Sequence, residues 1–251
     1  MTTGVVFRPQ YPPEELRAAV EAAEAAGIDE LWLWEDCFLE GGLTTAAAAL
    51  AWSSRITVGI GLLPVPFRNP ALAAMELATL ARMFPGRLTL ALGHGVQDWM
   101  RQVGAAVDSP MTLLREHTTA IRLLLAGEEV SVTGRYVSLD AVKLDWPPAR
   151  APRLLIGARG PKTVALAGEV ADGVLLDSVI DPDVVRRARE LVGPTSHVAL
   201  YTPIEPSLGA DAVQDWIAEL EHAGADSVIL QGTTEHPDHT PLIAHLAGDV
   251  G

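Results

Sequence analysis

Apolar residues follow two alternating rhythms along this chain. Short runs rich in Val, Ile and Leu recur at Gly4 to Arg8, Glu30 to Glu35, Ile56 to Leu62, Leu88 to Gly93, Arg153 to Gly157, Gly173 to Asp177, His197 to Thr202 and Asp226 to Gln231. Apolar runs of this length, bounded by turn residues, read as strands. Between them apolar positions return every three or four residues over 13–27, 43–53, 70–84, 110–126, 161–170, 182–192, 210–223 and 239–247, the period of a helix with one buried face. Pro12-Pro13 opens the first helix and Gly27 closes it, while Pro70, Pro110, Pro161 and Pro182 stand where a proline in the first turn sacrifices no hydrogen bond. Eight strand–helix units in 251 residues predict an α/β fold, a (β/α)8 TIM barrel, because an open doubly wound sheet runs out of strands sooner.

Residues 128–146 break the rhythm with two period-two runs about Gly134, which predicts a hairpin inserted between the fourth helix and the fifth strand. A lid, a dimer arm and a plain extension packed on the barrel side are all open readings of it. No linker divides the chain, so residues 1–251 read as one domain.

Composition narrows the partners. The chain is 49% hydrophobic and 20% charged, the balance of a protein with a large buried interior. With 18 basic against 32 acidic side chains its net charge is −14, which repels phosphate backbones and anionic lipid, so nucleic acid and membrane partners are not expected. No apolar run approaches the length of a membrane span, and the N-terminus lacks the pattern of a signal peptide and reads as mature. Cys37 is the one cysteine. It excludes an internal disulfide and fits a reducing compartment, with the cytoplasm as the default. Glu235-His236-Pro237-Asp238-His239 lacks further ligands at a recognised spacing, so no metal is expected; it reads as a solvated loop with Asp238 or Thr240 capping the last helix.

Barrel chemistry belongs at the carboxyl ends of the strands. Glycines cluster there after strands three, four and five, at Gly61, Gly93, Gly95, Gly157 and Gly160, and glycine permits close approach of backbone to a ligand. Gly157-Ala158-Arg159-Gly160-Pro161-Lys162 leads straight into a helix. Its free amides suit a phosphate at the helix N-terminus, and Arg159 and Lys162 add positive charge; an ordinary Gly-Pro helix start is the alternative. Glu35 and Asp36 end the second strand, where burial and mutual repulsion raise a carboxyl pKa. Either is a candidate proton donor, against the alternative of a helix cap or surface pair. His94 lies between two glycines, suited to hydrogen-bond a ring or act as an acid near neutral pH.

Three motifs follow one another in order: Arg55-Ile56-Thr57-Val58-Gly59-Ile60-Gly61 with Phe67-Arg68-Asn69-Pro70, then Pro85-Gly86-Arg87-Leu88-Thr89-Leu90-Ala91-Leu92-Gly93-His94-Gly95, then Gly160-Pro161-Lys162 with Leu166-Ala167-Gly168-Glu169-Val170-Ala171-Asp172-Gly173-Val174. Together they resemble the bacterial luciferase-like family of flavin- and deazaflavin-dependent oxidoreductases, the luciferase-like monooxygenase class. Within the family, Trp99 to Gly104 and the Gly-Pro-Lys turn resemble the coenzyme F420 branch, such as methylenetetrahydromethanopterin reductase. The resemblance implies a TIM barrel, a homodimer, and coenzyme F420 or, alternatively, FMN as cofactor. It also implies a non-proline cis peptide at Gly61-Leu62 under the cofactor ring, with Gly93 and Gly95 beside the ring. Gly157, Ala158, Gly160, Pro161 and Lys162 fall on the loop that holds the ribityl-phosphate end.

Two departures matter. Asp36 stands where many deazaflavin members have His, and Val96 where sugar-phosphate dehydrogenases have Glu, which disfavours sugar-phosphate oxidation. The expected reaction is hydride transfer between reduced F420, or a flavin, and a small organic substrate, with Asp36 or His94 as the acid. The alternatives are an FMN monooxygenase fed by a separate reductase and a non-catalytic cofactor-binding barrel.

Overall fold

The structure, a computed structural model, describes residues 1–205 and 207–247. Its frame is a closed, all-parallel ring of eight strands: β1 (Thr2–Phe7), β2 (Glu30–Leu33), β3 (Thr57–Pro64), β4 (Leu88–Gly93), β7 (Arg153–Ala158), β8 (Gly173–Leu176), β9 (His197–Ile204) and β10 (Ser227–Gly232). β5 (Val130–Thr133) and β6 (Ser138–Val142) form the separate antiparallel hairpin. The ring closes where β1 pairs with both neighbours, Gly4 opposite Glu30 on β2 and Gly4 opposite Ile229 on β10.

The helices between the barrel strands are α1 (Leu16–Ala25), α2 (Gly42–Trp52), α3 (Pro70–Met83), α5 (Pro110–Leu125), α6 (Pro161–Val170), α7 (Pro182–Val192), α8 (Ala210–His222) and α9 (Thr240–Leu246). They match the expected segments closely, except that a 3-10 turn over Pro13–Glu15 precedes α1. One short helix, α4 (Gln97–Gln102), falls in a stretch where the hydrophobic period predicts none. Six residues are too few for that period to register.

Alternation along each strand separates two cores. Val5, Phe7, Leu31 and Leu33 face outward under the helices. Val6, Trp32, Ala91, Leu155, Leu175, Ala199, Tyr201 and Ile229 point inward and fill the barrel axis, the layered packing expected of this architecture. Two large rings fit there because β3 withdraws: a Cβ on Gly59 would enter the Trp32 ring, and one on Gly61 would strike the Tyr201 hydroxyl and Leu175.

The hairpin packs on the outside of α5. The Glu116 carboxylate accepts hydrogen bonds from the amides of Arg135 (2.8 Å), Tyr136 (2.9 Å) and Val137 (3.0 Å). Val130, Val137 and Leu139 join the outer core. No hairpin residue lines the cavity at the barrel mouth.

Candidate functional site

A cavity of about 870 Å³ opens at the carboxyl ends of the strands, within the range of small-molecule and cofactor sites. Its floor is built at the irregularity in β3. The Gly61-Leu62 peptide is cis, the register against β4 shifts between Gly61 and Leu63, and the Leu62 side chain is thrown across the mouth. There it covers Gly93 and Gly157: an added Cβ on Gly93 would lie 2.5 Å from Leu62 Cδ2, and one on Gly157 would also collide with it. Two of the strand-end glycines thus leave room for a leucine that forms the floor. Gly93 is buried beneath it and does not reach the cavity, whereas Gly61, Leu62 and Gly157 do.

On the β7 side the wall is backbone. Ala158, Arg159 and Gly160 line it and lead into α6. Gly160 is the N-cap of α6, no side chain caps the helix, and Pro161 occupies the first turn. A Cβ built on Gly160 meets nothing within 4 Å. Pro161 has no N–H and the Thr163 amide donates to the Gly160 carbonyl at 3.1 Å, so the donors this rim can present to an anionic group, at the positive end of the helix dipole, are the amides of Gly160 and Lys162. Pro161 and Lys162 are exposed at the helix start, outside the cavity wall. Arg159 Nε donates to Asp177 Oδ2 at 2.7 Å, so its charge is shared with the acid after β8. Gly95 has φ +68 and packs on Met100 and Pro64, turning the chain from β4 toward α4.

The β1, β2, β8 and β10 side is polar. Asp36, just after β2, is half-buried, and burial raises its carboxyl pKa. A hydrogen bond from Gln10 and the charge of Arg8 oppose that rise, and Asp177 adds to it. Arg8 is fixed by the carbonyl of Thr233 at 2.9 Å and lies 5.2 Å from the centre of the Trp34 ring. Trp34 leans on Tyr201 at 5.7 Å, and the Tyr201 hydroxyl donates to the Gly61 carbonyl at 3.1 Å, joining the polar side to the bulge.

Glu35 and His94 differ from the sequence-based expectation. Glu35 is buried, and its two oxygens accept from Arg68 Nη1 at 2.5 Å and Nη2 at 2.8 Å, with a further 2.8 Å bond from the Gly42 amide. This pairing ties β2 to the start of α2 and to the segment before α3, so Glu35 borders the cavity with both oxygens already bonded to the protein. His94 lines the cavity, with Nε2 3.5 Å from Thr163 Oγ1 and Nδ1 buried without a partner of good geometry. Burial lowers its pKa, partly offset by the Pro110 carbonyl. At neutral pH the ring is therefore uncharged, suited to hydrogen bonding more than to proton donation.

Sequence reasoning gave no role to Arg8, Trp34, Ser178 and Gln231, which line the cavity. A two-residue count was the available signal: Trp34 and Gln231 lie two positions beyond the inward-facing Trp32 and Ile229, so they occupy the top inward layer. Of the tail loop, Asp238 Oδ1 accepts from the Thr240 amide at 2.8 Å, and His239 packs edge-on against Phe7 and Tyr11 at 5.3 and 5.5 Å. Among the described residues no three His, Cys, Asp or Glu side chains are grouped to hold a metal, and no helix is long and apolar enough to cross a membrane.

Known proteins share this fold. The chain is 32% identical over 178 residues to 5,10-methylenetetrahydromethanopterin reductase of Methanolobus tindarius, covering 71% of this chain and 54% of that one. It is 34% identical over 187 residues to the F420-dependent hydroxymycolic acid dehydrogenase of Mycobacterium tuberculosis, covering 67% and 50%. The chain thus spans about half the length of the curated relatives it matches. Among solved structures, the coenzyme F420 dependent tetrahydromethanopterin reductase from Methanopyrus kandleri superposes with a TM-score of 0.83 at 19% identity, over 99% of this chain and 97% of that one, a likeness of fold. Residues 2–193 match the family described as luciferase-like monooxygenase, and with three quarters of its length inside that match, a cis bulge at Gly61-Leu62 and a glycine-led helix start facing one barrel mouth, the chain belongs to the luciferase-like monooxygenase family.

Proposed function

We propose that the chain is an oxidoreductase that binds coenzyme F420 in the barrel mouth and serves hydride transfer to or from a small organic substrate. The observation that carries this reading is the division of one cavity into two unlike halves: uncapped backbone donors at Gly160 on one side and a proton-holding carboxyl, Asp36, on the other, above a floor of Leu62. The names of relatives at 31–34% identity, F420-dependent dehydrogenases among them, support the same choice of coenzyme.

The residues present fit such a group. No Cβ fills the approach to the α6 N-terminus at Gly160, and the His94 ring nitrogen Nδ1 is buried without a partner of good geometry among the described residues. Gly157, Ala158, Gly160 and the first amides of α6, with Arg159 and Lys162 nearby, would hold the anionic tail. Gly61, Leu62 and Gly95 would offer the flat surface for the rings, above the buried Gly93. When bound, the coenzyme supplies or accepts the hydride. Asp36 holds the accompanying proton, because a carboxyl whose pKa is raised by burial keeps it closer to neutral pH. Trp34 and Leu62 keep water from the reacting face. Val96 at the start of α4 brings no carboxylate to the rim, which argues against a sugar-phosphate substrate.

Residues 1–251 are one barrel domain, since the strands near both ends of the chain, β1 and β10, are neighbours in the ring. A homodimer is supported by α3, where Leu72, Met75 and Met83 are exposed and fall on one side of the helix. A reducing compartment, the cytoplasm, suits Cys37, which is buried and free.

Titrating the purified protein separately with F420 and FMN, by fluorescence, tests the cofactor. Saturable F420 binding with much weaker FMN binding is expected. Preference for FMN with oxygen-dependent turnover would favour a monooxygenase, and binding of neither would overturn the enzyme reading. Light scattering at micromolar concentration should give twice the mass of one chain, and Met75→Glu should halve it.

A further inference from the structure

The polar half of the cavity contains a chain of hydrogen bonds whose direction is fixed. Asp177 is paired with Arg159 through Oδ2, at 2.7 Å from Arg159 Nε. Ser178 Oγ lies 3.0 Å from the other Asp177 oxygen, Oδ1, and 3.3 Å from Gln231 Nε2. A carboxylate paired with a guanidinium only accepts, so the Ser178 hydroxyl spends its one proton on Asp177. Ser178 Oγ is then available to Gln231 only as an acceptor, and Gln231 has to present its NH2 group. This settles which end of the carboxamide is which. The remaining end, Gln231 Oε1, has no hydrogen-bond partner, although the residue is only 6% exposed.

A buried, unsatisfied acceptor costs about 1–3 kcal/mol, so its persistence calls for a partner. Gln231 lines the cavity on β10, one inward step above the core residue Ile229. Ser178 is held in place by a left-handed backbone at φ +52, unusual for a residue other than glycine. The neighbouring inward position on β1 belongs to Arg8, whose hydrogen bonds go to Gln10 and the carbonyls of Gly232 and Thr233, so among the described residues no donor supplies Gln231 Oε1.

We infer that Gln231 Oε1 is a specificity-determining acceptor that takes a hydrogen bond from a neutral hydroxyl or N–H group of the substrate, one that is not itself the reacting group. This rests on the hydride-transfer reading of the same cavity. Gln231 is assigned to the substrate because β10 lies opposite β4 in the ring and three strands from β7, away from the Gly160 rim, and two strands from β2, which delivers Asp36. A molecule that exchanges a proton with Asp36 therefore lies on the Gln231 side. Asp177 is already paired with Arg159, and Arg8 lies on the same side, so the open acceptor and not charge selects the substrate: a molecule offering only acceptors would leave Oε1 unpaired. The substrate class is thus a small bifunctional molecule with a hydroxyl besides its reacting group, such as a hydroxy-alcohol or hydroxy-ketone.

A matched pair of probes tests this, trans-1,2-cyclohexanediol and 2-methoxycyclohexanol, which differ in one hydroxyl donor. Their affinities are measured by ligand-observed NMR on the F420-loaded protein and again without coenzyme, for wild type, Gln231→Leu and Ser178→Ala. Wild type should prefer the diol by about five-fold, the scale of one net hydrogen bond. Gln231→Leu should abolish the preference while the F420 dissociation constant stays within two-fold. Ser178→Ala, which frees the carboxamide to turn, should reduce the preference part-way, and it carries the test if Gln231→Leu fails to fold. Equal binding of the two probes to wild type overturns the assignment, as does a Gln231→Leu variant that weakens F420 instead of the diol. Failure of wild type to bind F420, with the diol preference intact on the coenzyme-free protein, would remove the cofactor reading and leave the acceptor standing.

Discussion

Trp32 and Trp34 stand two residues apart on one strand and its extension, pointing into the same barrel, yet they are treated oppositely. Trp32 is fully buried and its Nε1 donates to Glu30 Oε2 at 2.6 Å. The other Glu30 oxygen accepts from Thr2 at 2.6 Å and Ser227 at 3.0 Å. Below it, Arg189 donates to the Gly224 carbonyl at 2.7 Å and pairs with Asp226, which also accepts from the Val198 amide at 2.8 Å. Among the described residues, Trp34 Nε1, one layer up, has no partner of good geometry, and neither do Gln231 Oε1 nor His94 Nδ1, all three on residues that line the cavity. Other buried polar atoms without a partner, on His117, Thr118 and His245, lie among the outer helices. Along the barrel axis, then, the network around Glu30 is satisfied and serves the fold, whereas the inward layer at the mouth leaves donors and acceptors open to a ligand.

Several substitutions sharpen that contrast. Asp36→Asn should lower turnover by about 10²–10⁴-fold with F420 affinity retained, measured by steady-state and single-turnover kinetics. The wild-type reduction rate should fall as pH rises through the Asp36 value, which burial raises. A carboxyl that prefers to be protonated when folded destabilises the protein at pH 7, so the same variant should be more stable than wild type at neutral pH. That gain should shrink as pH falls through the raised Asp36 value and be gone below the ordinary carboxylate range. An Asp36→Asn protein with unchanged turnover would remove Asp36 from the chemistry.

At the opposite end, Glu30→Ala should cost about 3 kcal/mol in denaturant unfolding, because it strands the Trp32, Thr2 and Ser227 donors together. Any coenzyme affinity should survive in the folded fraction. A smaller effect is expected of His197, whose Nε2 lies 2.9 Å from Ser227 Oγ. Burial, with the charge of Arg153, pushes it down to about 4 against the pull of Asp226. Its folded value lies below the unfolded one, so its contribution is fully present above pH ~6.5 and is lost as pH falls toward about 4, a loss of roughly 2 kcal/mol allowing for partial exposure. His197→Gln should flatten the acid limb of the stability profile by that amount. Gly160→Asp should leave stability within about 0.5 kcal/mol, since its Cβ meets open space. It should nevertheless weaken F420 about ten-fold by placing a negative charge at the helix N-terminus.

Much of the barrel was legible because its signals are local. Pro at the first turn of α3, α5, α6 and α7 and apolar runs at regular spacing need no knowledge of neighbours. The hairpin was legible for the same reason, though not its seat on Glu116, which depends on α5 lying alongside. Glu35 and Asp36 were indistinguishable as a dipeptide, and both border the cavity; only the arrival of Arg68, 33 residues on, with the Gly42 amide makes one a structural tie and leaves the other without a salt-bridge partner among the described residues.

By itself the sequence determined the order of strands and helices, the proline and glycine punctuation, and which strand ends carry acids, glycines and His94, because each depends on side-chain period and backbone freedom within a few residues. The tertiary structure decided that Gly93 and Gly157 make room for Leu62, that Glu35 is spent on Arg68, and that Gln231 has an oxygen left over. Those outcomes depend on distances between residues far apart in the chain, and hydrogen-bond satisfaction becomes countable only once closure of the ring has brought them together.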